Sequence, residues 1–153
     1  MPVVCAKRQW HVLRKKQLKT PEIIVAITGA SGAVYGLRLL EFFSRSGYAK
    51  THLIISRTAR FIMDMELDSR AFDRAVGFAH SVYDNEDLTP CISSGSYKTT
   101  GMIIAPCSAK TLASIAHGFS DNLVSRAADV TLKERRRLVL LFRETPLSLV
   151  HIN

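Results

Sequence analysis

The sequence of 153 residues is poor in cysteine, with three, and holds a single tryptophan. Cys5, Cys91 and Cys107 are odd in number and widely spaced, with no CxxC pair, which excludes a disulfide framework and fits a reducing cytosol. His11, His52, His80, His117 and His151 form no HExxH or other ligand spacing, and no His/Cys cluster accompanies them, so no metal site is expected. No apolar run approaches the roughly 20 residues that span a bilayer, so no membrane partner is expected. Acidic residues are missing from positions 1–20, which carry Lys7, Arg8, Arg14, Lys15, Lys16 and Lys19. That leader supplies most of the formal net charge of +8. The charge therefore marks a basic leader and not a basic domain face, and nucleic acid is not expected as a partner. Residues 1–21 read as a disordered tail or an over-long start, with an organelle presequence as the alternative; the location is then cytoplasmic, or mitochondrial in the last case.

What is present is a regular alternation of short apolar runs and helical periods. Ile23–Ile27 is β-branched and apolar, a buried strand. Val34–Ser44 follows a helical period through Leu37, Leu40 and Phe43 until Gly47 stops it. Thr51–Ile55 is the second strand, with a helix through Ala59, Ile62 and Met63. Residues 64–89 read as a short helix at Ala71–Phe78 followed by loops, and Cys91–Ser96 as a small-residue loop. Met102–Ala105 is the third strand, with a helix over Ala109–Ala116. Asp121 or Asn122 caps a helix running to about Glu134. Leu138–Phe142 is a fourth strand, apolar enough to be buried on both faces. Thr145 and Pro146 read as N-cap and first residue of a last helix. Strands alternating with helices give an α/β fold, a doubly wound parallel sheet in three α/β/α layers, over residues 22–153.

Four segments can carry chemistry. Thr28–Gly36 joins the first strand to the first helix, where glycines admit a ligand and the helix N-terminus offers free N–H groups. Its glycines stand at 29, 32 and 36, which is not GxGxxG, so a dinucleotide fingerprint is weak and a ligand-free turn remains open. Ser56 and Arg57 end the second strand where an NAD site needs an acid. That disfavours NAD, leaves NADP open through Arg57, and suits a mononucleotide bonded by Ser56. Ser108, Ala109, Lys110 and Thr111 repeat the strand-end hydroxyl pattern, although Ser108 alone is accounted for as an N-cap worth ~1 kcal/mol. Cys107 beside them reads as a buried small residue. Lastly, Arg126, Asp129 and Lys133 share one helix face; Arg135 to Arg137 read as a solvated turn; Arg143 and Glu144 follow the fourth strand, a carboxylate among cations suited to proton relay beside a phosphate.

The segments TGASGAVYGLRLL, HLIISRTA, SSGS, GMIIAPCSAKTL, RAADVTLKERR and RETPLSLVH together resemble the UbiX-type (Pad-type) flavin prenyltransferases, within the wider flavin-containing cysteine decarboxylase-like flavoproteins. The resemblance covers residues 23–151. It implies a flavodoxin-like, Rossmann-like fold, a homo-oligomer (dodecameric in typical members) and FMN near subunit interfaces. The implied reaction joins the dimethylallyl group of dimethylallyl phosphate to reduced FMN without a metal. The product serves a UbiD-type decarboxylase, with a link to ubiquinone biosynthesis. By the same resemblance Gly29, Ala30, Ser31, Ser56, Ser108, Ala109, Lys110, Thr111 and Arg143 contact FMN, and Ser31 also belongs to the catalytic set. The rest of that set is Glu144, which relays protons, Lys133, which with Arg126 lines the phosphate side, and Glu66, which completes the site from a neighbouring subunit. Relatives continue through a last strand and helices, so this length is expected to be C-terminally incomplete, weakly active and poorly soluble. The alternatives are a decarboxylase-like or reductase flavoprotein of the same fold, or a flavin-binding subunit without catalysis.

Overall fold

The computed structural model describes residues 20–152, so most of the basic leader lies outside the described residues. Five strands alternate with helices: β1 Glu22–Ile27, α1 Ala33–Ser46, β2 Lys50–Ile55, α2 Arg57–Glu66, α3 Ala71–Phe78, β3 Ser81–Asp84, β4 Gly101–Cys107, α4 Ala109–Ala116, α5 Leu123–Lys133, β5 Arg137–Phe142 and α6 Leu149–Ile152. The sheet is parallel throughout in the order β3-β2-β1-β4-β5. The order reverses between β1 and β4, and a crevice opens at such a switch point because the chain leaves its two central strands toward opposite faces. One face packs Val25, Ile27 and Leu53 against Leu37 and Leu40 of α1, Met63 of α2 and Ala75 of α3. The other packs Ile24, Ile54 and Ile104 against Leu123, Ala127 and Ala128 of α5. Among the described residues no helix is long and apolar enough to cross a membrane.

The local signals act as their chemistry requires. Gly47 ends α1 in the left-handed region with φ of 62°, its N–H meeting the Phe43 carbonyl. Asn122 caps α5 by accepting the Ser125 N–H, and Ser125 Oγ accepts the Asn122 N–H in return.

Four expectations need correction. Among the described residues β5 is the edge of the sheet: Leu138 and Leu140 pack toward α5, but Val139 and Leu141 are exposed. Helix α1 covers β1, β2 and β4 and stops short of β5, so only one face of β5 is buried. The segment after α3 contains β3, which pairs with β2 from His52 to Ile55; its four residues alternate in burial, too short and polar to stand out by composition. Residues Cys91–Ser93 form one turn of 3₁₀-helix rather than a plain loop. The last helix begins at Leu149, not at Pro146, because the extended path runs on to Arg143, whose N–H donates to Cys107 O. Residues 144–148 carry a bend at Thr145 and Pro146 before that helix starts.

Arg136 also departs from the solvated turn expected of it. Its guanidinium donates to Gly95 O and Tyr97 O, both at 2.8 Å, and reaches Thr99 Oγ1 at 3.4 Å. Arg126 Nε donates to Ser93 O at 3.1 Å. Two arginines thus satisfy the Ser93 and Gly95 carbonyls of the SSGS segment and that of Tyr97 beyond it.

Candidate active site

Thr28 ties the two turns of the switch point together. Its buried hydroxyl donates to Pro106 O and accepts the Ser108 N–H, each at 2.9 Å. The end of β1 and the start of α4 are therefore fixed side by side. Ser56 Oγ caps α2 by accepting the Ala59 N–H at 3.2 Å. Ser108 Oγ caps α4, accepting the Thr111 N–H at 3.3 Å and donating to Thr111 Oγ1 at 3.0 Å. Two helix N-termini with hydroxyl caps converge there, each carrying about half a positive charge.

Between them lies a cavity of about 540 Å³, lined by Gly29, Ser56, Ser108, Ala109, Lys110, Thr111 and Glu144 among others. A smaller cavity adjoins it through Gly29 and Glu144 and adds Ala30, Ser31, Ile62 and Arg143. Thus the three turns and the Arg143-Glu144 pair, far apart in sequence, share one crevice. Burial pushes the Cys107 thiol up to about 11, so it stays protonated and serves packing beneath the site, not as a nucleophile.

Within its own chain Glu66 sits at the first turn of α1. Helix α1 has no side-chain cap of its own. Glu66 Oε2 accepts the N–H of Gly32 at 2.9 Å and of Ala33 at 3.0 Å, joining the end of α2 to the start of α1. The Ser31 hydroxyl, these N–H groups and the Arg143 charge hold its carboxyl below the usual carboxylate range. A depressed folded value stabilises the fold above the ordinary value of 4.5 and loses that contribution as pH falls through the folded value. Glu66→Gln is accordingly expected to lower stability at neutral pH by about 0.3–1 kcal/mol, the worth of a charge at a helix N-terminus. The gap closes in acid; urea midpoints from pH 7 to about 3 measure it, and a gap constant with pH refutes the role.

Lys133 and Arg126 are not brought to this crevice. Helix α5 starts at the crevice, where Asn122 lines the cavity, and carries Lys133 away by about 16 Å over its 11 residues. Arg126 is occupied by Ser93 O and by Asp129, with an N–O distance of 3.2 Å. Asn85 carries no signal in the sequence, yet it is buried and lines the same cavity as Glu144. Its carbonyl accepts the Leu123 N–H at 2.7 Å and its side-chain Oδ1 the Val124 N–H at 3.2 Å, consuming two free donors of α5. Only recognition of β3 as a strand could have pointed to it.

A family model described as Flavoprotein matches residues 11–152, nearly the whole chain. This chain belongs to the flavoprotein family. Within it, the curated relative named flavin prenyltransferase UbiX from Neisseria meningitidis is 50% identical over 131 residues, covering 86% of this chain and 68% of that relative. The protein of the same name from Escherichia coli K12 is 48% identical over 130 residues, covering 85% and 68%. Similarity at this level places the chain among the UbiX-type flavin prenyltransferases. Among solved structures, AnUbiX (PadA1) in complex with FMN and dimethylallyl pyrophosphate superposes with a TM-score of 0.84 at 46% identity, over 88% of this chain and 70% of that one. The dodecameric FMN-dependent UbiX-like decarboxylase from Escherichia coli O157:H7 gives 0.82 at 44%, over 86% and 70%. The flavodoxin-like α/β sheet is that of these structures. The chain spans about two thirds of the length of these relatives.

Proposed function

We propose that this flavoprotein transfers the dimethylallyl group of dimethylallyl phosphate to reduced FMN, its acceptor substrate, and that the product serves a UbiD-type decarboxylase. The observation that carries the reading is the convergence of the Ser56 and Ser108 helix starts on the cavity that Glu144 also lines. The donor set suits a phosphorylated flavin. Hydroxyls and N–H groups at two helix N-termini hold a phosphate, with Lys110 and Arg57 adding positive charge at the rim. Arg143 is anchored through its backbone to β4 and presents its charge beside Gly32. Glu144, reaching both cavities, is placed to take a proton from the acceptor as its new carbon–carbon bond forms. Aimed cations stabilise a departing phosphate in a preorganised pocket without needing a metal.

One relative whose structure holds FMN with dimethylallyl pyrophosphate, and another described as a dodecameric FMN-dependent protein, support the reading. In it, Lys133 and Arg126 bind the phosphate of the donor, and their distance from the flavin cavity of one chain is met by a second copy in a homo-oligomer. Incubation with reduced FMN and dimethylallyl phosphate, followed by mass spectrometry, tests the reaction. A flavin heavier by one five-carbon unit is expected; an unchanged flavin mass, with FMN bound, favours the decarboxylase-like or non-catalytic alternatives instead.

A further inference from the structure

A second cavity of about 460 Å³ opens at the same end of the sheet, outside β2 and β3. It shares Ser56, Arg57, Asn85 and Glu86 with the flavin cavity, so the two are continuous. Its own wall includes Arg60, Phe72 and Asp84. The Arg60 guanidinium lies over the Phe72 ring at 4.2 Å, which holds a flat cation in place. Guanidinium planes so held stack on aromatic heterocycles.

The sheet order gives this position a meaning. In doubly wound sheets a dinucleotide starts at the turn after β1 and runs outward across the next strand, whose terminal acid takes the ribose hydroxyls. Strand β2 ends here in Ser56, which by sequence disfavours such a ligand. But β3, which the sequence pattern did not reveal, pairs with β2 and brings Asp84 and Glu86 to the same edge. Asp84 is fixed there, with Oδ1 accepting the Glu86 N–H at 3.0 Å. Arg57, the first residue of α2, stands at the junction of the two cavities.

We propose that the second cavity is a nucleotide subsite that takes the adenosine 5′-diphosphate half of a dinucleotide. The adenine stacks on the Arg60 platform, the ribose hydroxyls donate to Asp84, and the diphosphate meets the Arg57 guanidinium at the junction of the cavities, which leaves the N-terminal N–H groups of α2 to the flavin phosphate. The other half faces the first cavity, and for that half alone the proposal rests on the flavin reading. Its source is either a flavin dinucleotide lying across both cavities or a reduced pyridine dinucleotide delivering hydride to bound flavin.

Equilibrium dialysis of the FMN-free protein with ADP tests the subsite. ADP is expected to bind, and Arg60→Ala and Asp84→Asn each to weaken it about tenfold while the Kd for FMN moves less than about twofold. Competition separates the sources: FAD displacing both ADP and FMN supports the first, and NADH or NADPH displacing ADP while FMN stays bound supports the second. Absence of ADP binding, or ADP binding that both variants leave unchanged, overturns the proposal. Loss of FMN binding with ADP binding retained would count against the flavin reading and leave the subsite standing.

Discussion

Glu144→Gln is expected to bind FMN as the unsubstituted protein does and to form prenylated flavin more slowly by a factor on the order of 10²–10⁴. The substitution keeps volume and hydrogen-bonding reach and removes only the ability to take a proton. Glu144 contacts the site through two cavities but holds no element of the fold in place, since its backbone lies beyond the last ladder bond at Arg143. Stability and flavin affinity are therefore expected to stay put. Visible spectra of bound flavin and single-turnover mass analysis separate binding from chemistry. Unchanged turnover would remove Glu144 from the mechanism, and lost FMN binding would make it a binding residue instead.

The largest expected effect on folding comes from Gly36→Ala. Gly36 lies in α1 where the helix crosses β1 and β4, and an added Cβ would collide with the Ala105 carbonyl oxygen and come within 2.8 Å of Ile27 Cδ1. The first contact is backbone and cannot yield without moving β4. Alanine gains ~1 kcal/mol of helix propensity over glycine, but overpacking of this kind typically costs about 1–3 kcal/mol, more when the obstacle is rigid. A net loss of about 2 kcal/mol or more is expected, a large share of the roughly 5–15 kcal/mol that holds a domain. FMN affinity should fall with it, because Ala105 leads into the Pro106–Ser108 turn that Thr28 fixes. Gly77→Ala in α3 is the control: an added Cβ there meets nothing within 4 Å, so a gain of up to ~1 kcal/mol is expected. Urea midpoints of both variants decide the matter; a stabilised Gly36→Ala would show that α1 can lift off the sheet at no cost.

Much of the site was legible because its signals are local. A β-branched run followed by Thr28, Gly29, Ala30 and Ser31 states both a strand and the turn that ends it. Ser56 and Ser108 state two more, since a hydroxyl before a helical period is a cap wherever the helix packs. Strand β3 was not legible: Ser81–Asp84 is short and half exposed, and it becomes a strand only through pairing with β2. With β3 went Asn85, Asp84 and Glu86, whose importance is entirely positional. Arg136 is hidden for a related reason, because three adjacent arginines look solvated until the Gly95 and Tyr97 carbonyls are known to lie against the middle one.

By itself, then, the sequence determined the alternation of strands and helices, the caps, and the hydroxyl-bearing turns, all of which depend on residues a few positions apart. The tertiary structure alone decided the strand order β3-β2-β1-β4-β5, and with it which turns face one another. It left one face of β5 exposed, brought Glu144 to the Ser56 and Ser108 helix starts, set Glu66 on α1 of its own chain, and carried Lys133 away from the cavity. Those outcomes follow from crossovers and packing between distant segments. Local periodicity carries no information about them, because each strand would look the same in any order.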